Sequence, residues 1–233
     1  MLGKLTRRFA NLAFGGSCFL CRGAAEGVLC AACDADLPRL SGPACPRCAL
    51  PSQEGAPCGR CLARPPAYDA TVAALAYAFP ADVLVRALKF HGELALAPLL
   101  GQLLAARLPR GVRVDFLLPM PLSAARLRER GFNQALEIAR QVSAATGCPL
   151  APLLAERSRD TPPQLGLPLA ERARNVRGAF RCTRDLARAE VAVLDDVMTT
   201  GATLEELAVT LKRAGAARVV NWVVARTPAP ANA

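Results

Sequence analysis

The chain has 233 residues, long enough for one α/β domain and a small appendage. Apolar residues make up 52% and charged residues 21%, a balance that fits a folded globular chain and excludes wholesale disorder. The formal net charge of +10 favours anionic partners, phosphorylated small molecules or nucleic acid. It falls to about +6 if eight thiolates hold two zinc ions, so charge alone does not name the partner.

At the N-terminus, Leu2, Leu5, Phe9 and Leu12 alternate with Lys4, Arg7 and Arg8. The spacing suits a short amphipathic helix with a basic face. A secretory signal needs a longer apolar core and a small-residue cleavage site. Further on, the apolar stretch Leu94 to Leu108 is broken by Gly101, Gln102 and Arg107, and a membrane span needs roughly 18–20 apolar residues. The expectation is a cytoplasmic protein with no membrane span.

Eight of the ten cysteines form four C-x-x-C pairs: Cys18/Cys21, Cys30/Cys33, Cys45/Cys48 and Cys58/Cys61. A two-residue gap lets both sulfurs of a knuckle face one point, and two knuckles complete a tetrahedral zinc site. Gly23, Gly27, Pro46, Gly55, Pro57 and Gly59 supply turns between them. Too little apolar sequence lies between Cys18 and Cys61 to form a core, so the segment needs a staple. Disulfides require an oxidising compartment, which nothing here supports, and four successive pairs argue against a redox motif. Two structural zinc ions are expected. Sequential pairing puts Cys18, Cys21, Cys30 and Cys33 on one ion and Cys45, Cys48, Cys58 and Cys61 on the other, with the short spacers as ribbon hairpins. It needs only local loop closure and is favoured over a cross-brace, which stays open. Cys148 and Cys182 stand alone and read as small buried hydrophobes.

The Pro-rich stretch after Cys61 reads as a linker, dividing the chain into a head (1–66), a larger domain (67–227) and a loose tail (228–233). Strands are expected at Thr71–Phe79, Val114–Leu118, Val191–Leu194 and Val219–Ala225. Helices are expected at Leu94–Leu108 and at Asn133–Thr146, the latter stopped by Gly147. Alternating strands and helices imply a parallel sheet flanked by helices. His91 is the only histidine and receives no role.

The strongest signal is Val191-Ala-Val-Leu-Asp-Asp-Val-Met-Thr-Thr-Gly-Ala-Thr203. An apolar strand delivers Asp195 and Asp196 to its carboxyl end, where open α/β sheets place ligands. Thr199, Thr200, Gly201, Ala202 and Thr203 then turn into a helix whose first N–H groups and dipole suit a phosphate. Thr203 and Glu206 have the spacing of a capping box.

This segment resembles the 5-phosphoribosyl-1-pyrophosphate (PRPP) signature of type I phosphoribosyltransferases. The resemblance implies that Asp195 and Asp196 are the catalytic pair and hold the ribose hydroxyls. It also implies that Thr199 to Thr203 wrap the 5-phosphate, and that Pro119, Met120, Pro121 and Leu122 form the pyrophosphate loop. With Arg126 to Gln134, Arg157 to Gln164 and Glu171 to Phe180, the chain resembles the ComF family of competence and DNA-utilisation proteins (the ComFC/GntX kind). Arg157, Gln164, Arg172, Asn175 and Arg177 are candidates from a hood loop over the site. The fold implied is a type I phosphoribosyltransferase-like sheet behind a zinc-ribbon domain. The function implied is Mg²⁺-dependent transfer from PRPP to an unknown acceptor, in DNA uptake or utilisation. Other competence proteins, such as a DNA-uptake helicase, are implied partners. The alternative is a non-catalytic, single-stranded-DNA-binding competence factor that keeps the PRPP site as a sensor. No comb of aromatics for base stacking is visible.

Overall fold

A computed structural model describes residues 16–159 and 176–228. The N-terminal amphipathic segment, Gln164, Arg172, Asn175 and residues 229–233 lie outside the described residues.

The head is built twice over to one plan. In each half an isolated antiparallel bridge, Ser17 with Ala24 or Ala44 with Pro51, closes around the first knuckle. The residue after that knuckle, Arg22 or Ala49, takes a positive φ that turns the chain back. The second knuckle then opens a short helix, α1 (Ala31–Ala35) after Cys30 and α2 (Gly59–Ala63) after Cys58. The hairpins thus surround the first knuckles, whereas the spacers had been expected to form them.

Among the described residues six strands follow: β1 (Ala70–Ala76), β2 (Phe116–Pro119), β3 (Ala155–Arg157), β4 (Phe180–Cys182), β5 (Glu190–Met198) and β6 (Arg218–Arg226). Four form a parallel sheet in the order β1-β6-β5-β2, and β3 pairs antiparallel with β4. The two central strands are the apolar runs read from sequence. Val191 to Leu194 are fully buried, as are all residues of β6 after Arg218, as expected of parallel strands covered on both faces. Among the described residues the domain also has helices α3 (Ala81–His91), α4 (Leu96–Ala105), α5 (Ala124–Arg130), α6 (Gln134–Thr146) and α7 (Ala202–Arg213). Asn133 caps α6 by accepting from the N–H groups of Ala135 and Leu136, and Gly147 ends it in a left-handed conformation.

Gly101 has a packing reason. A Cβ there would stand 2.5 Å from the Gln141 Cβ and 3.1 Å from the Ile138 carbonyl, so α4 and α6 cross as closely as they do only because the side chain is absent. Helices α3 and α5 fall outside the periodic segments named above. Cys148 is buried as expected, but Cys182 is only half-buried, its Sγ directed to the carbonyls of Leu154 and Arg184.

The head also shields the sheet. β1 is an edge strand, and Arg39, between the two ribbons, bridges antiparallel to Leu75. Leu40 N–H donates to Ala74 O and Ala76 N–H to Pro38 O. Open strand edges invite pairing with other chains, and the inter-ribbon segment occupies this one.

Candidate functional site

The register of the sheet builds the site. β2 ends at Pro119 opposite Leu194, so Asp195 and Asp196 extend beyond β2 at its carboxyl end. β5 itself runs on to Met198, paired with β6 up to Met198 opposite Arg226. The strand is thus longer than the expected Val191–Leu194, and the acidic pair sits within it, flanked by β6 on one side only. Met120 N–H donates to Leu194 O at 2.7 Å, which lays Pro119-Met-Pro-Leu122 beside the pair. The Asn133 amide nitrogen donates to Met120 O at 3.1 Å, so the cap of α6 also steadies this loop.

The two carboxylates have different surroundings. Asp196 is 2% exposed and forms an ion pair with Lys89 of α3, Nζ to Oδ2, at 2.8 Å. Burial would raise its pKa, but the Lys89 ammonium and the hydrogen bonds from Asp195 and Lys89 outweigh this and hold it below the usual carboxylate range. Asp195 accepts from the Asp196 N–H through Oδ1 at 2.8 Å. Burial, with the Asp196 charge alongside, pushes Asp195 well above the usual range. For Lys89, burial opposes the charge, yet Asp196 and Asp195 hold its pKa above the ordinary value. One carboxylate is thus met by a cation while its neighbour has none of its own.

Lys89 was missed by sequence reasoning, which considered only its neighbour His91, now seen to be exposed. The signal was present. Ala81, Leu84, Val85 and Leu88 form the buried stripe of α3, and position 89 continues it eight residues after 81. A lysine in an apolar stripe calls for a buried anion.

The turn after β5 is tightly specified. Thr200 Oγ1 accepts from the Ala202 N–H at 3.2 Å. Gly201 has φ +85°, and a Cβ there would stand 2.7 Å from Met198 Cε and 3.1 Å from Tyr68 Oη. Helix α7 begins at Ala202 with Gly201 as its N-cap, so the capping box expected at Thr203 and Glu206 does not form. Glu206 instead accepts from the Gly178 N–H at 2.7 Å, and Glu205 from the Ala67 N–H at 2.9 Å. Both acids tie the start of α7 to segments beside the turn. Of the described hood candidates, Arg157 lies over the Phe180 ring at 5.6 Å within the β3–β4 ladder, and Arg177 is exposed, its carbonyl accepting from Arg159. A pocket lined by Gly111–Asp115, Thr146–Pro149 and Glu190 lies at the amino ends of β2 and β5, away from the acidic pair.

The cysteines form two tetrads with the sequential pairing: Cys18, Cys21, Cys30, Cys33, and Cys45, Cys48, Cys58, Cys61. Within each, all sulfurs lie within 4.8 Å of one another. Cys21 and Cys30 are 3.7 Å apart, as are Cys48 and Cys58. Zn–S bonds of about 2.3 Å in a tetrahedron put sulfurs about 3.8 Å apart, so the donor sets fit zinc. The cross-brace is excluded by this grouping. Bound there, zinc would staple the head, where no core of its own could.

This architecture defines a parallel α/β protein with a zinc-ribbon head. A double zinc ribbon domain family matches residues 9–62. The chain is 36% identical to DNA utilization protein YhgH of Salmonella typhimurium over 222 residues, covering 91% of this chain and 97% of that one. Escherichia coli K12 YhgH matches at 34% over the same shares. Competence protein F of Haemophilus influenzae matches at 30% over 226 residues, 91% of this chain and 98% of that one. The chain belongs to this family, the ComF family. Among solved structures, the allosteric regulatory enzyme of purine biosynthesis superposes only loosely, with TM-score 0.37 and 25% identity over 55% of this chain and 25% of that one.

Proposed function

We propose that the carboxyl edge of β5 binds Mg²⁺-PRPP and that the protein transfers its phosphoribosyl group to an acceptor in DNA utilisation. The observation that carries this reading is the acidic pair: Asp196 neutralised by Lys89, and Asp195 next to it on the strand that leads into a Thr-Thr-Gly turn opening α7. The turn offers helix N-terminal N–H groups to the 5-phosphate. The carboxylates accept from the ribose hydroxyls, and Pro119 to Leu122 hold the pyrophosphate. Mg²⁺ would supply charge for the leaving pyrophosphate. The names of its relatives, DNA utilization protein and competence protein F, support the setting, and a cytoplasmic site of action is part of this reading.

Calorimetry with Mg²⁺-PRPP tests it. Wild type is expected to bind, and Asp195→Asn to lose about 1–3 kcal/mol, the worth of a charged hydrogen bond. Equal affinity in both would remove Asp195 from the site. A screen of acceptors for pyrophosphate release then identifies the second substrate.

One observation favours a second role, binding of single-stranded DNA. Phe79 and Phe90 of the α3 region are 78% and 63% exposed, and Arg130 lies over the Phe90 ring at 5.7 Å. Exposed rings with arginines suit unpaired bases, although two rings are not a comb. Affinity should fall steeply with salt and show little sequence preference. Salt-independent binding would contradict an electrostatic mode.

A further inference from the structure

Arg226 closes β6 and is 3% exposed. A guanidinium at that depth needs acceptors and a counter-charge. Nε donates to Cys48 O at 2.8 Å, and Nη1 donates to Met198 O at 2.9 Å, to Thr227 O at 2.8 Å and to Thr199 O. Among the described residues no carboxylate forms an ion pair with it. Its Cys48 acceptor belongs to the second cysteine tetrad, and a zinc ion held there by four thiolates would be a net dianion beside it. One side chain therefore joins the second metal cluster to Met198, which ends β5, and to Thr199, which begins the proposed phosphate turn.

A second contact runs along the same seam. Thr71 N–H donates to Pro46 O at 2.9 Å, and Arg47 donates to Tyr68 O at 3.3 Å. Tyr68 is itself buried, and its hydroxyl bounds the space at Gly201. The knuckle Cys45–Cys48 thus abuts the turn by way of Arg226 and of Tyr68. Among the described residues, no hydrogen bond runs from Cys18, Cys21, Cys30 or Cys33 to that turn.

The geometry has a directional consequence. The bonds at Met198–Thr199 and Thr199–Thr200 are trans, and in a trans peptide the N–H points opposite to the C=O. Holding the carbonyls of Met198 and Thr199 on Arg226 aims the N–H groups of Thr199 and Thr200 away from it.

We infer that the second zinc centre is a working part of the phosphate turn, with Arg226 as the positioning residue that transmits its order to Thr199–Thr203. The inference rests on the reading of that turn as a phosphate site. Metal lost from Cys45, Cys48, Cys58 and Cys61 loosens the turn, and by linkage a ligand on the turn tightens that metal's binding.

Three measurements on the full chain test this: Mg²⁺-PRPP affinity by calorimetry, amide exchange over residues 198–203, and the rate at which zinc passes to a chromophoric chelator. Alkylation mapping reports which cysteines have lost metal. Arg226→Gln should raise the Kd tenfold or more, speed exchange over 198–203 at least tenfold, and hasten zinc loss from Cys45–Cys61. Arg226→Lys, with the charge but one donor nitrogen, should fall between. Arg39→Gln, which breaks an exposed pair with Asp34 in the head, should move none of the three. If the Arg226 variants do not fold, wild type stripped of the zinc on Cys45–Cys61 gives the same readout and should show the same faster exchange. Failure of wild type to bind Mg²⁺-PRPP would refute the phosphate reading, while exchange and zinc release would still decide the Arg226 link. A folded Arg226→Gln, or a wild type stripped at the second centre, with unchanged exchange over 198–203 overturns the inference.

Discussion

Asp195 and Asp196 are adjacent and chemically identical, yet the structure gives them opposite effects on stability. Asp196 has a folded pKa below its unfolded one, so its contribution is present above the ordinary aspartate value of about 3.9 and is lost as pH falls further. Asp195 is raised in the fold, so it binds a proton more readily folded than unfolded, and stability declines as pH climbs from about 3.9 toward the raised value. Asp195→Asn should therefore melt higher than wild type at neutral pH by a few degrees, with the gap closing near pH 4. Melting curves across pH 4–8 check this, and saturating Mg²⁺ should narrow the gap. Asp196→Asn does the reverse. It strands Lys89, whose side chain is only 27% exposed, and should cost about 2–3 kcal/mol, below the range for a fully buried pair. Denaturant titration measures it. Loss of ligand binding in Asp196→Asn thus has to be separated from loss of fold, whereas Asp195→Asn keeps the Oδ1 acceptor for the Asp196 N–H and reports on the site.

Gly101 and Gly201 show how elements are brought to their positions. Gly101→Ala places a methyl against Gln141 and the Ile138 carbonyl, and α4 must back away from α6. The expected loss is about 1–3 kcal/mol, read from the denaturant midpoint. An unchanged midpoint would mean that the helix pair shifts freely. At Gly201 the positive φ and the Tyr68 hydroxyl both oppose a side chain. Gly201→Ala should destabilise by more than about 1 kcal/mol and weaken PRPP binding, because the same turn opens α7. Helix α3 matters for a different reason: its buried stripe packs on the domain while its last turn carries Lys89 to Asp196.

The head and the sheet form one apolar cluster, with Cys45, Cys48 and Cys61 buried in the same core as Leu75 and Trp222. Metal analysis of reduced protein should give two zinc per chain, and stoichiometric disulfides would contradict the tetrads. Removing zinc should lower a single melting transition of the whole chain and expose the β1 edge to self-association. Two separate transitions, with the sheet's unmoved, would show that the head is an independent module.

Much of this was legible before any coordinates. The four C-x-x-C pairs announce metal because two sulfurs on a knuckle must converge, and the apolar runs at Val191 and Val219 announce buried parallel strands. The order Asp-Asp, Thr-Thr-Gly, helix puts the candidate groups on one strand and the turn after it, although Asp195 and Asp196 fall within β5 and not past its end. All of these are set by residues near one another in the chain. What could not be read were the long-range partners: Lys89 for Asp196, Glu206 for Gly178 in place of a cap, Arg39 on the β1 edge, and Arg226 between a zinc knuckle and the turn. Each pairs groups that folding alone makes neighbours, Arg226 and Cys48 across 178 positions of sequence. A buried charge must find its counterpart somewhere, but only the packed sheet determines which one is within reach.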